Sequence, residues 1–288
     1  MATLKEIRTR IGSVKNTQKV TRAMQMIAAA RLRKAQSAAL DARAYAKHAA
    51  EMAHRIAERA GGEIDPYLQP RERMERVELL VLTSDRGLCG GFNANLLREV
   101  ERHWDAYAAH GVEVHCTTIG RKGRDTLKAR GRAVRDSLVG FYETLSFAHV
   151  KALAEPIATR FLEGAIDRVE LVYNRFRSVI AQDITREVLL PMVPEPHAAG
   201  VMVDYLYEPS CAAVVHGLLH QALIARFYQA CLESIAGELA ARMSAMDNAT
   251  KNASDMIHML TMQFNRARQA SITKELLDIV NGAESLKQ

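Results

Sequence analysis

Apolar residues recur every three or four positions through the first sixty residues, which is the spacing of one face of an α-helix. The chain has no proline before Pro66, and Gly61 and Gly62 mark the end of the pattern. Alanines carry the stripe in its second half; they favour helix and let another helix approach closely. We predict a helix over residues 1–60 and a linker over 61–76. The stripe begins with Leu4, Ile7, Ile11, Val14, Met24, Ile27 and Leu32.

The C-terminal part of the chain shows the same periodicity. No proline follows Pro209, so we predict a single helix over residues 209–288. The closing segment ITKELLDIVNGAES, residues 272–285, places Gly282 where a helix cap is expected. The stripe runs through Ile235, Leu239, Met243, Met246, Ala249, Ala253, Met256, Leu260, Phe264 and Ala267.

These two helices are too long to lie within one compact domain. At about 1.5 Å per residue, the helical patterns of residues 3–59 and 210–281 would span roughly 85 and 107 Å, against about 30 Å for a small domain. An alanine-rich helix outside a domain is marginal in water, so the two ends are expected to pair. Their apolar spacing favours an antiparallel, left-handed coiled coil. Its heptads are imperfect, because Gln18, Gln25 and Thr250 lie near the seam.

The middle of the chain, residues 77–208, has a different pattern. VELLVLTSD (77–85) is typical of a buried strand, and a glycine turn and a helix follow it. Strand and helix patterns continue to alternate, with VEVHCTTIG as the next strand and RVELVYNRF and SVIAQDI as a later strand pair. This alternation predicts a Rossmann-like α/β domain with at least one parallel connection. The expected fold class is therefore α-rich and mixed: a terminal coiled coil with a central α/β domain.

Positive charge is concentrated in the first helix. The chain carries a net charge of +6, and eleven basic residues lie between Lys5 and Lys47, opposed only by Glu6 and Asp41. Such a segment fits a solvated helix face, an acidic protein partner or a nucleic acid. A nucleic-acid-binding coiled coil stays open as an alternative, although Tyr45 is the only aromatic residue in the first sixty, so a base-stacking surface is missing.

The glycine turn SDRGLCGGFN, residues 84–93, is the strongest candidate for chemistry. Glycines after a strand can present backbone amides to an anion, but the lysine and hydroxyl of a Walker loop are absent, as is a dinucleotide fingerprint. We therefore interpret Gly87, Gly90 and Gly91 as structural, allowing a tight turn with positive φ and close helix packing. We expect no catalytic residue, cofactor or metal: the four cysteines are scattered, and His216 and His220 lack a zinc-protease glutamate.

Several motifs together resemble the gamma subunit of the F-type ATP synthase, the central rotor shaft, over essentially the whole chain. The N-terminal IRTRIGSVKNTQKVTRAMQMIAAARLRKA is similar to that family's opening helix, and SDRGLCGGFN and YNRFRS are similar to its glycine turn and strand end. ARMSAMDNATKNA and ITKELLDIVNGAES match its C-terminal helix. The resemblance implies a non-catalytic rotary shaft that couples ion-driven rotation to ATP synthesis or hydrolysis.

The resemblance also implies partners. These are three alpha and three beta subunits around the coiled coil, and an epsilon subunit and a ring of c subunits at the α/β domain. No cofactor or nucleic acid is implied. Without a recognisable transit segment or a redox insertion, the expected location is the cytoplasmic face of a bacterial inner membrane, held through the c ring. The implied contacts are Arg22, Met24, Arg242, Arg268, Gln269, Thr273 and Glu275 with beta subunits, and Tyr205, Tyr207 and Glu208 with the c ring.

Overall fold

The computed structural model describes residues 3–59, 65–192, 207–208 and 210–285. Within them the chain forms five α-helices, two short 3-10 helices (Pro66–Leu68 and Phe141–Glu143) and one five-stranded sheet. The α-helices are α1 (Leu4–Arg59), α2 (Phe92–Ala109), α3 (Arg121–Ala129), α4 (Phe147–Leu162) and α5 (Cys211–Ser285). The strands are β1 (Arg76–Leu82), β2 (Glu113–Ile119), β3 (Val134–Leu138), β4 (Arg168–Phe176) and β5 (Gln182–Leu190).

The sheet has the strand order β3-β2-β1-β4-β5. β1 is parallel to both β2 and β4, and β2 is parallel to β3, whereas β5 is antiparallel to β4. β2 and β3 therefore lie in succession on one side of β1, and β4 and β5 lie in succession on the other side. The predicted Rossmann-like α/β fold is confirmed.

Two strands differ from the sequence expectation. β3 was not predicted, because its sequence VRDSL carries three exposed residues and lies at an edge of the sheet. β5 begins at Gln182 rather than at Ser178. Residues 178–181 instead form the hairpin turn, in which the Ser178 N–H donates to the Ala181 carbonyl (3.0 Å) and the Ala181 N–H donates to the Ser178 hydroxyl (3.2 Å).

The two faces of the sheet are covered by different helices. On one face, alternate residues of β1 such as Leu79 and Val81 pack with Leu96 and Leu97 of α2 and Leu127 of α3. On the other face, Leu80, Leu82 and their neighbours pack with α4, the end of α1 and the first half of α5. The residues of α5 in this second core include Leu219, Leu223, Ile224 and Phe227.

The chain divides into two compact units, residues 29–242 and residues 1–28 with 243–288. The first contains the sheet. In the second, the beginning of α1 pairs with the later part of α5. The Thr21 and Thr250 hydroxyls are 2.8 Å apart, and the Gln25 amide donates to the Asp247 carboxylate at 2.9 Å. Because the α1 partner number rises as the α5 number falls, the helices are antiparallel, as predicted.

The seam of α1 differs from the predicted apolar stripe. Its half-buried and buried positions keep an unbroken three–four spacing from Leu4 through Gln18, Thr21, Gln25 and Ala28. Ile27, which the stripe included, is 56% exposed. A similar correction applies to α5, where Ala253 and Leu260 are buried but Met256 is 42% exposed. The prediction that Gln18, Gln25 and Thr250 lie near the seam is confirmed, whereas the apolar stripe was wrong at Ile27 and Met256.

α5 also ends differently from the prediction. The helix continues through Gly282 to Ser285, so Gly282 is not a cap. Thr21 of α1 faces Thr250 of α5, and Leu4 lies seventeen residues before Thr21. In an antiparallel pair, the start of α1 is therefore level with about residue 267 of α5. Residues 272–281 are all exposed, because α1 provides no partner there. The apolar side chains of this end face are Ile272, Leu276, Leu277, Ile279 and Val280.

Candidate functional site

The glycine turn is held by a compact polar network between β1 and α2. The Asn93 amide donates to the Ser84 hydroxyl at 2.6 Å and to the Cys89 sulfur at 3.3 Å, while the Ser84 N–H donates to the Asn93 side-chain oxygen. The Ser84 hydroxyl in turn donates to the Arg86 carbonyl at 2.7 Å. Burial raises the pKa of the Cys89 thiol. Cys89 is therefore a structural thiol within a closed turn and lacks the low pKa of a reactive cysteine.

The glycines of this turn have unequal roles. Gly90 has a φ of 58°, in the left-handed region, but Gly91 has a φ of −81° and begins α2 as its N-cap residue. The expectation of positive φ therefore fails at Gly91, and it also fails at Gly87, which is outside the left-handed region. The second left-handed residue is Leu88, with a φ of 65° and a 61% exposed side chain. A leucine in this conformation is uncommon and had no signal in the sequence.

The amides at the N-terminus of α3, where a helix can bind an anion, are already occupied. The Asp85 carboxylate accepts from the Arg121 N–H at 2.9 Å and from the Gly140 N–H at 3.0 Å. The Thr83 hydroxyl accepts from the Gly123 N–H at 2.9 Å. The N-terminus of α3 is thus satisfied by residues that follow β1. The chain's own carboxylate takes the place that an anionic ligand would take there.

The crevice at the switch point of the sheet is also filled from within the chain. In open α/β sheets this crevice lies beyond the carboxyl ends of the two strands where the order reverses, here β1 and β4. Gly237 of α5 lies against the Asn174 carbonyl and the Phe92 ring, and a Cβ at Gly237 would be 3.4 Å from each. α5 therefore occupies the space in which related folds bind nucleotides.

Arg242, predicted to contact a beta subunit, fastens this turn to α5. Its guanidinium forms an ion pair with Glu238 at 2.6 Å and donates to the carbonyls of Arg86 (3.4 Å) and Gly87 (3.3 Å). Both side chains of the ion pair are 14% exposed. Burial raises the pKa of Glu238, while Arg242 opposes that shift. Sequence reasoning missed Glu238 because an i,i+4 pair is ordinarily solvated.

A second charged network, also missed, joins three elements around a fully buried carboxylate. Glu233 of α5 accepts from the Arg43 guanidinium of α1 at 2.9 Å and from the Gln229 amide at 2.8 Å. Arg175 of β4 lies 3.8 Å from its other oxygen. Arg43 also donates to the Phe176 carbonyl at 3.1 Å. One of the eleven basic residues of the first helix is therefore structural.

Two histidines near the beginning of α5, His216 and His220, contact the side chain of Tyr67. The Tyr67 hydroxyl lies 3.0 Å from Nδ1 of His220, and the Tyr67 ring stacks on His216 with centroids 5.1 Å apart. His216 pairs with the Asp65 carboxylate at 3.1 Å. Burial raises the pKa of Tyr67 to about 12 and lowers the pKa of His220. Tyr67 is therefore protonated and His220 neutral in this hydrogen bond.

The remaining predicted contact residues lie on helix surfaces or near α5. Arg22 is exposed and Met24 is half-buried beside the seam of α1. Tyr207 is half-buried and packs against the core on the α4 side of the sheet, Glu208 is exposed, and Tyr205 lies outside the described residues. Arg268, Gln269, Thr273 and Glu275 are all exposed, and the Ser271 hydroxyl donates to Glu275 at 3.3 Å.

Comparison with known proteins gives one result along the whole chain. The family described as ATP synthase matches residues 3–286. The ATP synthase gamma chain of Chlorobaculum tepidum is 45% identical over 294 residues, and that of Geobacter metallireducens is 46% identical over 288 residues. Both alignments cover 100% of this chain and of the relative. The chain belongs to the ATP synthase gamma-chain family.

Solved structures agree with this family. The chain is similar to one from the central stalk and c ring of Tetrahymena thermophila mitochondrial ATP synthase, with a TM-score of 0.60 and 25% identity over 80% of this chain and 99% of that one. A chain of the Euglena gracilis mitochondrial enzyme shares the fold, with a TM-score of 0.70 and 17% identity over 98% of this chain and 94% of that one. The predictions of a gamma-chain resemblance and of a central-shaft function are confirmed.

The gamma-chain family is a subunit family of the ATP synthase, and the predicted assignment to that assembly is confirmed. In the part of the chain that the structure describes, no helix combines the length and the apolar character needed to cross a membrane.

Proposed function

We propose that this gamma chain turns as an asymmetric shaft inside a ring of three alpha and three beta subunits and has no catalytic site of its own. The observation that carries the proposal is the end face of α5, formed by Ile272, Leu276, Leu277, Ile279 and Val280. These side chains are 48–68% exposed, because α1 begins at Leu4, level with about residue 267, and does not reach them. An apolar face of this kind requires a covering partner.

An apolar end suits a rotating part. Hydrogen bonds and ion pairs are directional, so strong ones at the tip would favour one rotary angle and trap the shaft there. Dispersion and burial of apolar area depend far less on angle. A sleeve of apolar residues would thus hold the end of α5 while letting it turn.

Polar contacts with the beta subunits would then lie beside this end and further down the helices. The exposed side chains of Arg268, Gln269, Thr273 and Glu275 precede or interleave with the end face and are free to meet beta-subunit loops. Arg22 and Met24 would meet acidic loops lower on the shaft. Arg242 would act indirectly, because its guanidinium holds the glycine turn and so sets which surface that turn presents.

The α/β unit supplies the other end of the coupling path. Tyr207 and Glu208, with Tyr205 beside them in sequence, would rest on the c ring, and an epsilon subunit would bind the same unit. In this proposal the protein lies at the cytoplasmic face of a bacterial inner membrane, attached through its partners. Rotation of the c ring would be transmitted through Glu233, Arg43 and the packed first half of α5 to the shaft helices.

The test is to express the chain with its native ATP synthase partners and to measure recovery of the hexamer and ATP-driven proton pumping in vesicles. We expect Leu276→Asp combined with Ile279→Asp to reduce pumping per ATP hydrolysed several-fold. Asn281→Asp is the matched control, since it adds a carboxylate at an exposed polar position of the same segment. Wild-type recovery and pumping by the double variant would contradict the proposal, as would purification of the wild-type chain with nucleic acid and without the hexamer.

A further inference from the structure

A groove in the α/β unit is lined by aromatic rings and one acid. It has a volume of about 530 Å³ and lies between α1, the start of α4 and the middle of α5. Its walls contain the rings of Tyr45, Phe147 and Tyr228, with Ala38, Ala42 and Leu232 between them, and Asp41 at its side. None of these residues belongs to the contacts predicted from the family.

Asp41 is the unusual member of this set. It is the only acidic residue between Glu6 and Glu51 in the strongly basic α1, and its side chain is exposed. Among the described residues it forms no ion pair, and the residues three and four positions away along the helix are Ser37, Ala38, Ala44 and Tyr45. None of these four neighbours carries a charge.

The aromatic rings, like Asp41, favour a positively charged ligand in the groove. Phe147 and Tyr228 meet edge to face with centroids 5.6 Å apart, so the pair is held in a fixed geometry. Tyr45 is 58% exposed and supplies a third ring. Ring faces carry negative electrostatic potential and attract cations, most strongly when a carboxylate stands nearby.

We propose that this groove binds an organic monocation, such as a quaternary ammonium ion, with its charge beside Asp41 and its alkyl groups against Tyr45, Phe147 and Tyr228. The volume is within the range of small-molecule sites. The neighbouring guanidinium of Arg43 does not oppose the ligand at the mouth, because it is paired with Glu233 and the Phe176 carbonyl. The site is independent of the rotary function.

The experiment compares choline with 3,3-dimethylbutan-1-ol, a neutral molecule of nearly the same shape, by ligand-observed NMR on the full chain assembled with its partners. We expect saturable binding of choline in the millimolar range and binding of the alcohol weaker by about fivefold or more, as one partly exposed cation–π site implies. Equal binding of the two molecules would show an ordinary apolar groove and overturn the proposal. Absence of choline binding would overturn it as well.

Variants locate the site. Asp41→Asn and Tyr45→Leu should each weaken choline binding about threefold or more, because the first removes the carboxylate and the second removes a ring face. Asp41→Asn should leave binding of the neutral alcohol unchanged. Both residues are exposed, so the fold should persist in both variants. Asp255→Asn is the control, since it neutralises an exposed helical aspartate outside the groove. If Asp255→Asn weakens choline binding as much as Asp41→Asn does, binding is a general charge effect and the assignment is wrong.

Discussion

At the scale of single residues, Glu233 is the clearest case of a side chain whose importance depends on its partners. It is fully buried, and it neutralises guanidinium groups from α1 and β4. Glu233→Ala should lower the free energy of unfolding by about 2 kcal/mol, because two arginines lose their buried partner but can still reach water. Chemical denaturation of the full chain measures this.

The control for Glu233 is an exposed ion pair in the same unit. Lys151 and Glu155 lie 3.8 Å apart on α4, and both are about half exposed. Lys151→Ala should change the free energy of unfolding by less than about 0.5 kcal/mol. Equal effects of the two substitutions would show that the Glu233 network does not fasten α1 to the sheet.

His220 makes a second residue-scale prediction, on pH. Burial and the nearby His216 and Lys151 lower its pKa, with Glu155 opposing them, and its neutral form is hydrogen-bonded to the Tyr67 hydroxyl. The unfolded chain therefore binds the proton more readily, so this contribution to stability is complete above about pH 6.5 and is lost as the pH falls below it. The pKa of His115 is also lowered, chiefly by burial, so His115 likewise makes the folded chain less stable as the pH falls.

The measurement compares denaturation midpoints at pH 7.5 and pH 5.5. His220→Gln should reduce the destabilisation at the lower pH, because the glutamine amide can still hydrogen-bond to the Tyr67 hydroxyl but does not titrate. His258→Gln, at an exposed position on α5, should leave the pH dependence as it is in the wild type. An unchanged pH dependence in His220→Gln would assign the effect to other groups.

At the scale of elements, the start of α1 decides how much of α5 is covered. The pairing of Thr21 with Thr250 brings Leu4 level with about residue 267. In the free chain, amide hydrogen exchange in α5 should therefore be slow around Met246 to Leu260 and become fast near residue 271, because the helix beyond lacks a packing partner.

A deletion makes this prediction sharper. Removing residues 4–10 should move the boundary between slow and fast exchange in α5 by about seven residues, to near residue 264. The reason is that α1 and α5 are antiparallel, so shortening the start of α1 uncovers the facing later part of α5. Removing residues 279–285 should leave the boundary where it is. A boundary that ignores the first deletion would mean that α5 does not depend on α1 in this region.

At the scale of the whole assembly, Met24 tests how the shaft meets its surroundings. It is half-buried beside the seam, with exposed Arg22 nearby. Met24→Lys adds a charge that an acidic beta-subunit loop would bind by roughly 0.2 to 1 kcal/mol, and by more when water is excluded. We expect assembly and ATP hydrolysis to persist while proton pumping per ATP falls, more than for Met24→Leu. Equal pumping efficiency in vesicles for all three proteins would make Met24 a packing residue only.

The sequence by itself determined the large elements and the family. Proline-free termini, three–four apolar spacing and the alternating middle predicted two long helices and an α/β sheet, because these signals are local and repeat over many residues. The long motifs, such as ITKELLDIVNGAES, are by themselves enough to indicate the gamma-chain family.

Only the tertiary structure decided the seam and the roles of individual charges. Gln25 lies near the seam as predicted, but Ile27 of the apolar stripe is exposed, because register depends on the whole paired helix and not on local hydrophobicity. Arg43 and Arg242 look like ordinary basic surface residues in the sequence, and their partners lie far away along the chain, as with Glu233 and the Arg86 carbonyl. Such long-range contacts leave no periodic pattern in the sequence. Only the folded structure therefore shows which charged residues are structural and which remain available to partners.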